Sequence, residues 1–122
     1  MADSAQVVAQ MLNAAATDIG LPSGSVGLRV PTEPPIPFIR FEVAPGPGFG
    51  PVRPLTVMAQ VYAATDGTAA SVAEALWAAL DGSTHSGLPS VTGLLSPRPF
   101  PDPDRPELRR WQLTLSATHV TL

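Results

Sequence analysis

The chain has no cysteine, which removes at once a disulfide framework, a thiolate nucleophile and any cysteine-based metal centre. It has no lysine either, so all seven of its basic residues are arginine. A GC-rich coding sequence would produce that bias. So would a preference for the planar, bidentate pairing that arginine makes at subunit contacts. The net charge is only −3, and no basic face of the kind that grips nucleic acid is evident. No apolar run approaches the roughly 18–20 residues that a bilayer span requires. The opening residues, MADSAQVVAQML, lack the basic leader and long apolar core of a signal peptide. The expectation is a soluble protein made in a cytoplasm, without a membrane partner.

What is present is a 122-residue chain of 44% hydrophobic content, enough for one domain with one core. Its 15 prolines and 10 glycines gather at 20–24, 31–37, 44–54 and 97–106. Clustered in this way they punctuate the chain between regular elements.

Between those clusters the hydrophobic period identifies the elements. SAQVVAQMLNAAATD (4–18) carries Val8, Met11, Leu12, Ala15 and Ile19 at helical spacing, with Asp3 or Ser4 as cap and Gly20 and Pro22 as stop. SVGLRV (25–30) is a short strand. PFIRFEV (37–43) and LTVMAQVYA (55–63) alternate with period two. The period then changes to 3.6 over 64–80, where Ala69, Val72, Ala73, Leu76, Ala79 and Leu80 line one stripe. Thr65, Asp66 or Thr68 can cap this helix, and Asp81-Gly82 closes it.

SVTGLLS (90–96) and the long run 108–121 complete the set as strands. In that last strand Trp111, Leu113, Leu115 and Ala117 share a face, opposite Arg110, Gln112, Thr114, Ser116 and Thr118. One apolar and one polar face per strand indicates an antiparallel sheet covered on one side only. The expected fold class is therefore α+β: two layers, a mainly antiparallel sheet with two helices packed on one face, as a single domain over 1–122.

Catalytic chemistry is sparse. His85 lies in GSTHSGLP beside Ser83, Ser86 and Asp81, all within one polar turn, so a triad there would have to ignore geometry. His119, near the end of the last strand, is expected to face solvent or a partner. His85, His119, Asp102 and Asp104 have no metal-ligand spacing. The carboxylates of Asp102 and Asp104 lie in a proline-rich loop without the apolar burial that tunes an acid; Arg98 and Arg105 are natural partners for them. GPGFG (46–50) is followed by a strand, with no helix N-terminus to complete a phosphate site. The expectation is no catalytic residue, cofactor or metal; a small hydrolase using His85 is the remote alternative.

Two long loops remain, 44–54 and 97–106, each the tip of a hairpin if 37–43 pairs with 55–63 and 90–96 with 108–121. Hairpin loops beyond the usual 2–5 residues commonly contact something else. Proline reduces the entropy lost when such a loop is ordered on binding. That property suits assembly better than catalysis.

The order of elements, with LTVMAQVYAATDGTAASVAEALWAALDG (55–82) and GLLSPRPFPDPDRPELRRWQLTLSATHVTL (93–122), resembles the tail terminator (tail-completion) proteins of long-tailed bacteriophages. Its second half resembles the versions from phages of high-GC actinobacteria, and the resemblance as a whole covers about 37–122. It implies a homo-oligomeric, hexameric ring in the virion, at the head-proximal end of the tail, assembled in the bacterial host cytoplasm. Its implied partners are the major tail tube protein and the head–tail connector protein, and DNA would pass through the ring without specific binding. The family supplies no catalytic residue to carry over.

On this reading the interface residues would be Phe49 and Arg53 from the first loop. Arg98, Phe100, Asp102, Asp104 and Arg105 would come from the second, and Arg109 and Arg110 from the start of the strand that follows it. Another head–tail joining (neck or connector) protein is the alternative. The uncovered polar sheet face would line the channel.

Overall fold

A computed structural model describes residues 3–47 and 50–121. Helix α1 spans Ser4–Asp18, followed by β1 (Val26–Gly27), β2 (Phe38–Pro45), β3 (Val52–Ala63), α2 (Asp66–Leu80), β4 (Ser90–Pro99) and β5 (Arg109–Val120). Each helix begins where a side chain can accept an orphan N–H. The Asp3 carboxylate accepts the Gln6 N–H at 2.7 Å, and Thr65 Oγ1 accepts the Thr68 N–H at 3.2 Å. At its far end α1 closes with Gly20 at φ +88° and a bond from the Leu21 N–H to the Ala16 carbonyl, which satisfies a terminal acceptor.

The sheet runs β1-β2-β3-β5-β4. Only β1–β2 is parallel; β2–β3, β3–β5 and β4–β5 are antiparallel. Both expected hairpins form, and β5 inserts between β3 and β4. The fold is α+β, with both helices on one face of the sheet.

The core follows from the two periods. Ile39, Phe41, Leu55, Val57, Ala59, Val61, Val91, Leu113, Leu115 and Ala117 project from alternate strand positions, and the helices answer with Val7, Val8, Met11, Leu12, Ala73, Leu76 and Leu80. Trp111 and Val72 pack at the margin, half-buried. Trp77 lies against the backbone of Gly93, where an added Cβ would stand 2.3 Å from the indole ring. A glycine in a strand here marks a close approach of ring to backbone.

Several expectations need correction. The strand at 25–30 shrinks to Val26–Gly27: the Ser25 carbonyl still accepts from Ile39 of β2 at its start, but beyond Gly27 the pairing stops and Val30 packs on a second cluster. On the helices, Ile19 is only half-buried and Ala79 is exposed. The strands extend through their prolines, so the first loop contracts to 46–51 and the second to 100–108. Pro97 and Pro99 lie in β4, an edge strand, where a missing donor costs the ladder least.

The opposite sheet face is not bare throughout. Phe38, Tyr62 and Leu108 form a second buried cluster there, with Val30 packed against it. His119 also differs from expectation. It projects on the core side of β5 at 3% exposure, with Nδ1 2.9 Å from Ser4 Oγ. The odd-numbered alternation of β5, continued from Trp111 through Ala117, carries it there.

Candidate assembly surface

The loop 100–108 lies back over one end of the far sheet face, and Arg110 organises it. Its Nε donates to the Phe100 carbonyl at 2.6 Å and its Nη2 to the Pro101 carbonyl at 3.1 Å. Its Nη1 donates to the Tyr62 hydroxyl at 3.1 Å and stands 3.5 Å from Asp102 Oδ2. The same guanidinium lies over the Phe100 ring, 4.7 Å from its centroid. Five donors in one planar fork allow a single arginine to hold two carbonyls, a hydroxyl and a carboxylate together.

Asp102 completes this clasp. It accepts the Tyr62 hydroxyl at 2.8 Å through Oδ2 and the Asp104 N–H at 2.9 Å through Oδ1. Burial alone would raise its pKa. The Tyr62 and Asp104 hydrogen bonds and the charges of Arg110 and Arg105 outweigh that and hold the carboxyl below its ordinary range. Burial is the first cause of the upward shift of the Tyr62 hydroxyl; Asp102 adds to it and Arg110 opposes it. Arg105 ties the loop to the segment before β2, donating to the Pro31 carbonyl at 2.6 Å and the Thr32 carbonyl at 3.3 Å.

The expected interface residues therefore divide. Asp102, Arg105 and Arg110 are occupied within the chain itself, and a loop expected to reach outward is braced on its own sheet. Arg98, Phe100, Asp104 and Arg109 have exposed surface, as does Arg53 on β3. Arg109 sits 3.6 Å from Asp66. Phe49 lies outside the described residues. Sequence reasoning missed Tyr62, Leu108, Pro31 and Thr32. A lone tyrosine on a polar strand face, opposite a loop rich in arginine and aspartate, was the available signal for the first of these.

Outside the clasp a groove of about 790 Å³ opens, lined by Pro99, Pro101, Pro103, Pro106, Leu108 and Trp111, with Asp66 and Arg109 at its rim. Next to the clasp, the far face carries a polar ladder. Arg40 donates to Gln60 at 2.8 Å and also pairs with Glu42; Gln60 donates to Gln112 at 2.8 Å. Cross-strand register stacks Arg40, Gln60, Gln112 and Arg98 in one row over four strands. Thr56, Ser116 and Thr92 form a further row. Arg40 is paired with Glu42 within this face, whereas Arg98, at the β4 end of the row, makes no ion pair among the described residues.

The turn at 81–88 does not assemble a nucleophile. Ser83 Oγ donates to the Leu80 carbonyl at 2.7 Å, so its contact with His85 Nε2 at 2.8 Å is one in which the imidazole donates. An activated serine needs the reverse. Asp81 is engaged elsewhere, accepting the Gly93 N–H at 2.8 Å. Among the described residues no group of three or more His, Asp or Glu side chains is placed to hold a metal ion. No described helix is long and apolar enough to cross a membrane. No protein-family model matches the chain, and no curated protein matches it.

Proposed function

We propose that this chain is a structural protein of the virion of a long-tailed bacteriophage, a tail terminator that caps the head-proximal end of the tail tube as a ring. The observation that carries the reading is the far face of the sheet. Its middle rows are polar, and no described helix covers them. The Arg40–Gln60–Gln112 row is internally hydrogen-bonded, and the one unpaired cation there among the described residues is Arg98, at the β4 edge. Such a face suits the wall of a channel through which DNA moves without being held, because grip requires many unpaired cations that release counterions, and a single edge arginine supplies little of that. The order of elements and the two hairpin tips support the same reading by resemblance. The major tail tube protein would lie below the ring and the head–tail connector above it.

Within this reading the second loop has two roles. Asp102, Arg105 and Arg110 set its shape, and Arg98, Phe100, Asp104 and Arg109 present its outer surface. Replacing Arg98 and Asp104 together with Ser should leave the melting temperature unchanged, since exposed charges contribute little to monomer stability. Assembly should suffer, because charges at an interface govern register and association rate.

Electron microscopy of phage particles made without this protein tests the function. Tails of irregular length are the expected result. Tails of normal length that fail to join heads would favour a neck adaptor instead, and normal virions would remove the chain from assembly altogether.

A further inference from the structure

Both edges of the sheet carry apolar surface, and the two edges differ in shape. At one end β4 exposes Leu94 and Leu95, 56% and 47% accessible. Leu95 pairs with Thr114, and Leu94 sits in a register shift between Gly93 and Leu95, so both stand at the rim of the sheet. At the other end, β1 and α1 enclose an open groove of about 390 Å³ lined by Ala5, Ala9, Val26, Leu28 and Phe41, with Asp3 beside them. That volume falls within the range of about 300–1,000 Å³ typical of ligand pockets, ample for two leucine side chains.

We infer that these edges are the two halves of one head-to-tail contact between copies of this chain, Leu94 and Leu95 of one copy seating in the α1–β1 groove of the next. The inference deepens the ring reading above by naming the surfaces that would join the subunits. Charge complements shape. Arg98 lies three residues beyond Leu95 on the same edge, is exposed, and makes no ion pair among the described residues. At the groove, Asp3 is exposed; one of its oxygens caps α1, and the other has no hydrogen bond among the described residues. A guanidinium and a carboxylate thus flank the two apolar halves.

The backbone of β4 directs the contact toward side chains. Two register shifts and the prolines at 97 and 99 interrupt the row of edge donors that simple sheet extension would need. Knob and groove are different patches on opposite edges, so the contact is heterologous. A heterologous contact closes into a ring when its rotation permits and otherwise grows as a filament. A two-fold pairing of like edges would leave the groove unfilled.

The natural absence of cysteine makes the test direct. Leu95→Cys and Gln6→Cys place one thiol on each exposed half, Gln6 lying at the groove without filling it. Purified protein carrying both substitutions, treated with a short bismaleimide, should give a ladder of covalent multimers on a denaturing gel. A mixture of the two single variants should stop at dimers, and each single variant alone should stay monomeric. Adding Leu94→Asp to the double variant should abolish the ladder. The inference is overturned if the double variant gives only monomer, if Leu95→Cys alone dimerises as well as the pair does, or if the ladder survives Leu94→Asp. Its failure is separable from that of the tail reading. A ladder together with normal tails in phage lacking the protein keeps the contact and removes the function; irregular tails with no ladder do the reverse.

Discussion

On the helix face of the sheet, Ile39, Val57, Val61, Leu113 and Leu115 meet Leu12, Leu76 and Leu80; on the opposite face, Phe38 and Tyr62 meet one short loop. The first contact is apolar and broad, and its free energy scales with area removed from water. The second rests on a few directed bonds around Arg110 and Asp102. Area-driven packing tolerates changes of pH and depends little on any one geometry. A charge-centred clasp is the opposite: small, specific and dependent on protonation. The chain uses the first to fold and the second to shape a loop.

The largest effect should come from breaking the helix face. Leu76 is fully buried between α2 and the sheet, and Leu76→Ala should cost about 2–5 kcal/mol by transfer and cavity terms together. Chemical denaturation measures it. A loss below about half a kcal/mol, the scale of a surface substitution, would mean that Leu76 is not in the core.

An intermediate effect is expected from opening the clasp. Asp102→Ala removes an acceptor from the Tyr62 hydroxyl and a counter-charge from Arg110, at a cost of about 1–3 kcal/mol near neutral pH. That difference should also depend on pH. The folded state holds the Asp102 carboxyl below its ordinary range, so it binds this proton less readily than the unfolded chain does. The contribution is therefore complete above the unfolded pKa of about 4 and disappears as pH falls through the lower folded value. Melting curves of the two proteins should converge in that acid window. Curves that stay parallel would show that the carboxylate is not what closes the loop. Tyr62 has the opposite sign: its contribution is complete below about 10 and is lost as pH rises through its raised folded value.

The smallest effect is expected at a site belonging to neither contact. His85→Ala removes one hydrogen bond to Ser83 and should cost about 0.5–1 kcal/mol. If the proposed virion role holds, particle yield should be unchanged. A virion defect from this substitution alone would give the 81–88 turn a function.

Fold class and most element positions were legible in the sequence because the hydrophobic period shifts sharply from two to 3.6 after Ala63 and each helix has a capping residue at hand. The helix-face core could be read from the same periods. What could not be read was the far face. Phe38 and Tyr62 share a strand face with Arg40 and Gln60, so the period assigns them to solvent; only the return of a loop from far along the chain buries them. His119 was misplaced for a related reason. The alternation of β5 puts it on the apolar side, but a polar residue is tolerated there only through its hydrogen bond to Ser4, 115 positions away, a partner that no local pattern announces. The loop itself was identified, but composition speaks for its stiffness and not for its direction.

The place of β5 between β3 and β4 also bears on how the molecule folds. β3 meets β5 along a register from Val52–Val120 to Ala63–Arg109, so that pairing closes the chain across α2 and β4. Closing so long a loop costs entropy before it gains contacts, and such sheets nucleate slowly. The hairpin of β2 with β3 and that of β4 with β5 are each local and can form first. Until they join, the β3 and β5 edges that will later pair stand open to strands of other chains. The kinetic hazard of this domain therefore lies in the middle of its finished sheet, at a seam that the native structure leaves nowhere exposed.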